Sequence, residues 1–193
     1  MADTDPAQSK AELRRAALTA RDALSAEERS AKSARISGHL ASFLFEDRPA
    51  VLAGYWPIGS EADIRAALRG LSQLEVQLAL PVVVNGRVVF REWAPGWPLY
   101  PAGFGSMGPP PEAETRVPDT LIVPVVGYDK QGHRLGYGKG FYDRAIAELR
   151  AKGGQPRLIG VAFAAQEVSS IPSEPHDIRL DDLITEAGPL SFA

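Results

Sequence analysis

The stretch Arg134-Leu-Gly-Tyr-Gly-Lys-Gly-Phe-Tyr-Asp-Arg144 holds the densest chemistry in the chain. Gly136, Gly138 and Gly140 alternate between an apolar strand candidate and a helical pattern, so the run reads as a loop leading into a helix. Glycine permits close backbone approach and positive φ, and a helix start presents amides without an intrahelical partner. Those amides and the helix dipole favour an anion, to which Lys139 adds a full positive charge. The loop is not a Walker A motif, because Gly140 stands where Ser or Thr should follow the lysine. Nor does Gly-x-Gly-x-Gly match the Gly-x-Gly-x-x-Gly of dinucleotide folds. Taken alone, such a turn serves as a plain connector as readily as a ligand site.

Other residues gain meaning beside it. Lys10 and Arg14 are spaced i, i+4 and share one helix face, so both could reach one polyphosphate; a solvated face is their ordinary reading. In a first turn, cations oppose the helix dipole, which favours a ligand role. Asp143 reads as a first-turn acid complementing the dipole, Asp177 as an Asx-type turn residue, and Glu61 as a helix-start glutamate after Ser60. The histidines His39, His133 and His176 form neither a Ser-His-Asp pattern nor a metal cluster.

These residues need elements to carry them. Ser9-Lys-Ala-Glu12 and Ser25-Ala-Glu-Glu28 have the form of capping boxes opening two N-terminal helices, the second bearing Ile36, Leu40, Phe43 and Leu44. Residues 50–55 suggest a strand, and Ser60 the cap of a helix carrying Ile64, Ala67, Leu68 and Leu71. Residues 76–80 and 86–92 read as strands around an Asn85-Gly86 hairpin turn. Trp93 to Pro118, rich in Pro and Gly, reads as a long surface excursion. A strand at 120–126, the glycine loop, a helix to about Arg150, and strands at 157–163 and 183–185 complete the pattern. The alternation predicts a three-layer αβα domain spanning 1–193, with residues 1–45 helical. Its sheet should be mostly parallel and twisted, the N-terminal helices should pack on it, and the site should lie at the carboxyl ends of the strands.

Bulk properties narrow the function. A net charge of −3 over 193 residues argues against a sequence-independent nucleic-acid binder. Without cysteine, thiolate catalysis, disulfides and thiolate metal sites are excluded. The start Met1-Ala-Asp-Thr-Asp-Pro6 lacks the pattern of a signal peptide, and no apolar run reaches the length of a membrane span. A cytoplasmic protein is expected.

The glycine segment, with Pro124 and Asp129-Lys-Gln-Gly132 ahead of it, closely resembles the signature of the 5-formyltetrahydrofolate cyclo-ligases. The resemblance extends to Lys10-Ala-Glu-Leu-Arg14, Tyr55-Trp-Pro-Ile-Gly-Ser-Glu61, Gly160-Val-Ala-Phe163, Gln166, Glu174-Pro-His-Asp177 and Leu180-Asp-Asp-Leu-Ile-Thr-Glu186. It implies the same three-layer fold, with ATP as co-substrate and Mg²⁺ as metal. It sets the phosphates against Lys10, Arg14, Arg134, Gly136, Gly138, Lys139, Gly140, Phe141 and Tyr142, with Lys139, Arg134 and Tyr142 catalytic. Asp143 and Asp177 would hold the metal, and Glu61, Phe104, Tyr55 and Trp56 the folate. The implied reaction closes 5-formyltetrahydrofolate to 5,10-methenyltetrahydrofolate with release of ADP and phosphate. The implied partners are these small molecules, with no nucleic acid or membrane; a monomer is expected and a dimer is the alternative. Where the family pattern runs aromatic-Gly-Ile-x-Glu-Pro, this chain reads Phe104-Gly-Ser-Met-Gly-Pro109, which leaves room for a paralogue that activates another N-formyl compound. A non-catalytic nucleotide- or folate-binding module is a further alternative.

Overall fold

The computed structural model describes residues 6–103, 105–174 and 177–192. Helix α1 (Pro6–Asp22) begins upstream of the expected cap, so Ser9 lies inside it. Proline tolerates a helix start because its missing amide hydrogen would have had no partner there. Lys10 and Arg14 therefore stand beyond the first turn, and opposition to the dipole is no argument for their role. Helix α2 (Ala26–Glu46) does start on the expected box: the Glu28 amide donates to Ser25 Oγ at 3.1 Å, and the Ser25 amide to Glu28 Oε2 at 2.7 Å.

The remaining elements, in chain order, are β1 (Val51–Ala53), α3 (Arg65–Ser72), β2 (Gln77–Val84), β3 (Arg87–Glu92), β4 (Tyr100–Gly103) and β5 (Ser106–Gly108). They continue with β6 (Thr120–Pro124), β7 (Gly127–Tyr128), β8 (Arg134–Leu135), α4 (Phe141–Ala151), β9 (Arg157–Val161), β10 (Asp182–Thr185) and β11 (Gly188–Ser191). A seven-stranded sheet has the order β11-β10-β9-β6-β1-β2-β3. Its five inner strands pair in parallel, and an antiparallel partner closes each edge. The β2–β3 turn is the expected one: Asn85 and Gly86 take φ of 50° and 75°, the left-handed pair that a tight hairpin requires.

Alternating side chains build two cores on opposite faces of the sheet. Leu52, Leu78, Leu80, Ile122, Ile159 and Ile184 meet α2 and α3 on one face. Their neighbours Ala53, Ala79, Leu121, Leu158 and Leu183 meet Ala145, Ile146 and Leu149 of α4 on the other. Helix α1 differs: it packs on β7 and a short 3₁₀ turn at Ala164–Gln166, with Ala17 set among Val126, Leu135 and Ile171. The contact is close, for a Cβ on Gly127 would lie 3.2 Å from that of Ala17.

Several details depart from the expectations. Ser60 caps no helix; α3 starts at Arg65, whose amide bonds Asp63 Oδ1 at 3.0 Å, and Ser60 Oγ bonds Asp22 instead. The excursion after Trp93 contains the small β4–β5 sheet leaning on β2, and Trp93 itself is buried. The hairpin β7–β8 separates β6 from the glycine loop, and β11 adds an edge strand. Among the described residues no helix is long and apolar enough to cross a membrane.

Because Ile146 ties α4 to the sheet while fully buried, Ile146→Ala should cost about 2–5 kcal/mol of stability. Urea titration should show a lower midpoint with an unchanged slope.

Candidate active site

The site is built where the parallel strands end. From the carboxyl end of β1 the chain runs into Tyr55–Glu61, and from that of β6 into β7, β8 and the glycine loop. One buried carboxylate organises this end. Asp129 has no exposed surface; its Oδ1 accepts from the amides of Gln131 (2.9 Å) and His133 (3.0 Å). Its Oδ2 accepts from the amide of Ile171 (2.9 Å) and lies 3.0 Å from His133 Nδ1. Burial alone pushes this carboxyl up, but the amides of Ile171, Gln131 and His133 and the His133 ring hold it below the ordinary carboxylate range. The β7–β8 turn is thus pinned to the strap that follows Ile171.

The glycine loop is shaped as the residue types demand at two places. Gly138 and Gly140 take φ of 83° and 63°, and a Cβ on Gly138 would lie 3.4 Å from Arg14 Cζ. Gly136 has neither a positive φ nor a crowded surround, so nothing in the structure requires glycine there. Gly140 caps α4, which puts the helix's first-turn amides and Asp143 beside the loop. Lys139 is exposed and forms no ion pair among the described residues.

The other cations are engaged. Arg14 Nε donates to Gly136 O at 2.6 Å. Lys10 Nζ contacts Asp177 Oδ2 at 2.6 Å and Glu174 Oε2 at 2.7 Å. Partial burial tends to lower the Lys10 ammonium's pKa, but hydrogen bonds to these carboxylates raise it overall. Arg134, almost wholly covered, donates to Asp143 Oδ1 at 2.7 Å and to Ile178 O. It therefore bridges α4 to the strap. Asp143 pairs with Arg134 and Asp177 with Lys10, and both offer the hard oxygen donors that magnesium prefers alongside phosphate oxygens and water. Their donor chemistry suits magnesium, although no group of three His, Asp or Glu side chains forms a site by itself among the described residues.

A second cluster forms around Glu61. This half-buried carboxylate accepts from the Ile58 amide at 2.9 Å and from the Tyr137 hydroxyl at 2.8 Å. Burial pushes it above its ordinary range against those two bonds and the nearby Arg21 charge. Tyr55 is buried with its hydroxyl on Ala62 O at 2.7 Å, and Tyr142 packs against the α4 core. Burial and the Glu61 charge raise the pKa of both phenols. Trp56 meets Trp93 edge-on, with ring centroids 5.8 Å apart, beneath the Arg65 guanidinium. Phe104 and His176 lie outside the described residues.

Lys10, Arg134, Asp143 and Asp177 thus gather through shared ion pairs and the Ile178 carbonyl, with Arg14 at the loop and Glu61 joined to it by Tyr137. Sequence reasoning passed over Arg21, Tyr137 and Glu174. Arg21 did leave a signal: at i+11 from Lys10 it returns to the same helix face as Lys10 and Arg14. Tyr137 sits between two of the glycines. Glu174 joined the site only through the fold.

A family model described as the 5-formyltetrahydrofolate cyclo-ligase family matches residues 6–186. The curated 5-formyltetrahydrofolate cyclo-ligase of Mycolicibacterium smegmatis is 33% identical over 187 residues, covering 92% of this chain and 94% of its own. That of Haemophilus influenzae is 28% identical, covering 77% and 82%. The solved 5,10-methenyltetrahydrofolate synthetase of Aquifex aeolicus superposes with a TM-score of 0.80 at 32% identity, over 95% of this chain and 92% of that one. The synthetase of Mycoplasma pneumoniae gives 0.74 at 27%, over 92% and 98%.

Asp129→Asn should lose roughly 3 kcal/mol at neutral pH, because a buried acceptor with several donors is replaced by a neutral group. With the folded-state pKa depressed, the stabilisation is present above about pH 3.9 and fades as pH falls through the folded value. The gap in Tm between variant and wild type should therefore narrow in acid.

Proposed function

The chain belongs to the 5-formyltetrahydrofolate cyclo-ligase family, and on that premise we propose that it converts 5-formyltetrahydrofolate and ATP to 5,10-methenyltetrahydrofolate, ADP and phosphate. One observation carries the reading from family to chemistry. The glycine loop, the cations of α1 and the Glu61 carboxylate converge on one end of the sheet, and Tyr137 bonds the loop to Glu61. An anion cradle and an acceptor for a polar ring edge thus stand side by side.

The reaction asks for positioning more than for a protein nucleophile. A formamide carbon is a poor electrophile and its oxygen a poor leaving group. Transfer of the γ-phosphoryl group to that oxygen makes an iminium phosphate; N10 then attacks the carbon, loses its proton, and phosphate departs. Phosphoryl transfer is served by alignment and charge neutralisation. Lys139, exposed on the loop, would follow the transferring phosphoryl group. Lys10 and Arg134 would bind phosphate oxygens in exchange for their present carboxylates, while Gly138 and the start of α4 present backbone amides. Asp143 and Asp177 would hold magnesium, which supplies neutralisation of the phosphate charge. Glu61 would accept hydrogen bonds from the aminopyrimidine edge of the pterin, near Tyr55, Trp56 and Phe104. Tyr142, whose phenol feels the Glu61 and Arg134 charges, would contact the reacting groups from the start of α4. In the same proposal, residues 1–193 form one catalytic domain acting as a cytoplasmic monomer on small molecules.

Incubation with ATP, Mg²⁺ and 5-formyltetrahydrofolate should produce the near-ultraviolet absorbance of the methenyl product. ATP binding without product would refute the assignment, and hydrolysis stimulated by another N-formyl compound would redirect it to a different substrate. Lys139→Ala and Asp143→Ala should each lower kcat by roughly 100-fold in folded protein. Near-normal rates in both would contradict their roles.

A further inference from the structure

Among the described residues, Arg21 is the one cation of the face shared with Lys10 and Arg14 that forms no hydrogen bond or ion pair with the strap or the loop backbone. Only 5% of it is exposed, and burying a guanidinium demands a compensating partner. Its Nη1 donates to the Tyr137 hydroxyl at 3.2 Å, and its Cζ stands 6.0 Å from the centre of the Tyr137 ring. Its Nε lies 3.5 Å from Asp22 Oδ1 without making a hydrogen bond. The phenol that accepts this hydrogen bond donates its own to Glu61 Oε1 at 2.8 Å. The other carboxylate oxygen is held by the Ile58 amide. The Glu61 side chain is therefore clamped at both oxygens, and one clamp is itself held by a buried cation.

We propose that Arg21 and Tyr137 are positioning residues for the reaction: Arg21 orients the Tyr137 hydroxyl, and Tyr137 aims the Glu61 carboxylate at the pterin edge. The inference rests on the folate role proposed for Glu61. It adds a consequence, because Tyr137 belongs to the glycine loop: the aim of the folate carboxylate is tied to the conformation of the phosphate-binding segment. An ordinary surface tyrosine would need no buried arginine behind it.

The surroundings make the arrangement testable by pH. Glu61 is faced by Arg21 from α1, Tyr137 from the loop, Tyr142 from α4 and Tyr55 from the segment after β1. Asp63, two residues on, is paired with Arg65 at 2.5 Å. The phenols are neutral at physiological pH; Tyr137 itself is pushed up to about 12, by burial first and then by the Glu61 charge. Arg21 is thus the cation that acts on Glu61, opposing the effect of burial. The Tyr137 donor and the Arg21 charge both favour the ionised carboxylate, so removing either must raise the pH at which Glu61 ionises.

Tyr137→Phe keeps the ring and deletes the hydroxyl. It should raise KM for 5-formyltetrahydrofolate about tenfold at neutral pH while KM for ATP stays within about twofold. The acid limb of kcat/KM should move to higher pH, as should the Glu61 carboxyl titration followed by ¹³C NMR in the ligand-free protein. Arg21→Met should reproduce both shifts, and Arg21→Lys should partly restore them; if Arg21→Met fails to fold, Tyr137→Phe decides alone. An unmoved Glu61 titration in folded Tyr137→Phe overturns the proposal, as does a loss of rate equal at every pH. A shifted titration in a protein that does not turn over 5-formyltetrahydrofolate would uphold the clamp and remove only the cyclo-ligase reading.

Discussion

The buried carboxylate of Asp129 is the constraint on which the site depends. A charge withdrawn from water is tolerable only when donors surround it, and here three backbone amides and a histidine ring do so. Two of those amides belong to the β7–β8 turn and the third opens the strap at Ile171. The turn leads directly into Arg134 and the glycine loop, and the strap leads to Glu174 and Asp177. The two segments that carry the phosphate and metal candidates, some forty residues apart in sequence, are thereby held to one geometry.

Helix α1 lies along that geometry and supplies its cations in order. Lys10 meets the strap, Arg14 the loop backbone, and Arg21 the Tyr137–Glu61 pair. Its closeness comes from small residues, Ala17 against Gly127, rather than from a broad apolar stripe. Helix α2, by contrast, buries Ile36, Leu40 and Leu44 on the sheet and stabilises the fold at large. The two N-terminal helices look alike in sequence but do different jobs, one making core and the other making site.

Charge is used locally throughout. The chain as a whole is slightly acidic, so anion binding has to come from side chains arranged at one point. Lys10 and Arg134 rest on carboxylates, and under the proposed reaction a polyphosphate and its cation would enter by exchanging partners inside the cluster. Such an exchange would keep the charges of the cluster paired, the condition under which a half-buried ionic site can bind reversibly.

Local signals in the sequence determined much of this protein. The Ser25 capping box, the Asn85-Gly86 turn and the short apolar runs of the inner strands all act within a few residues, and each appears as expected. The glycine loop was likewise visible, because Gly138 and Gly140 answer a backbone need that other residues meet poorly. Ser9 and Ser60 misled for the complementary reason: a residue suited to a cap marks a helix start only if the chain has not already begun one, or if no stronger partner claims its hydroxyl. Only the tertiary structure decided that Arg134 would bridge Asp143 and the strap, that Glu174 would join Lys10, and that Arg21 would reach Glu61 through Tyr137. Those contacts span from nine to more than a hundred and sixty residues. No spacing rule reaches across such separations, because the meeting is set by how sheet order and the Asp129 clamp fold the loops back on one another.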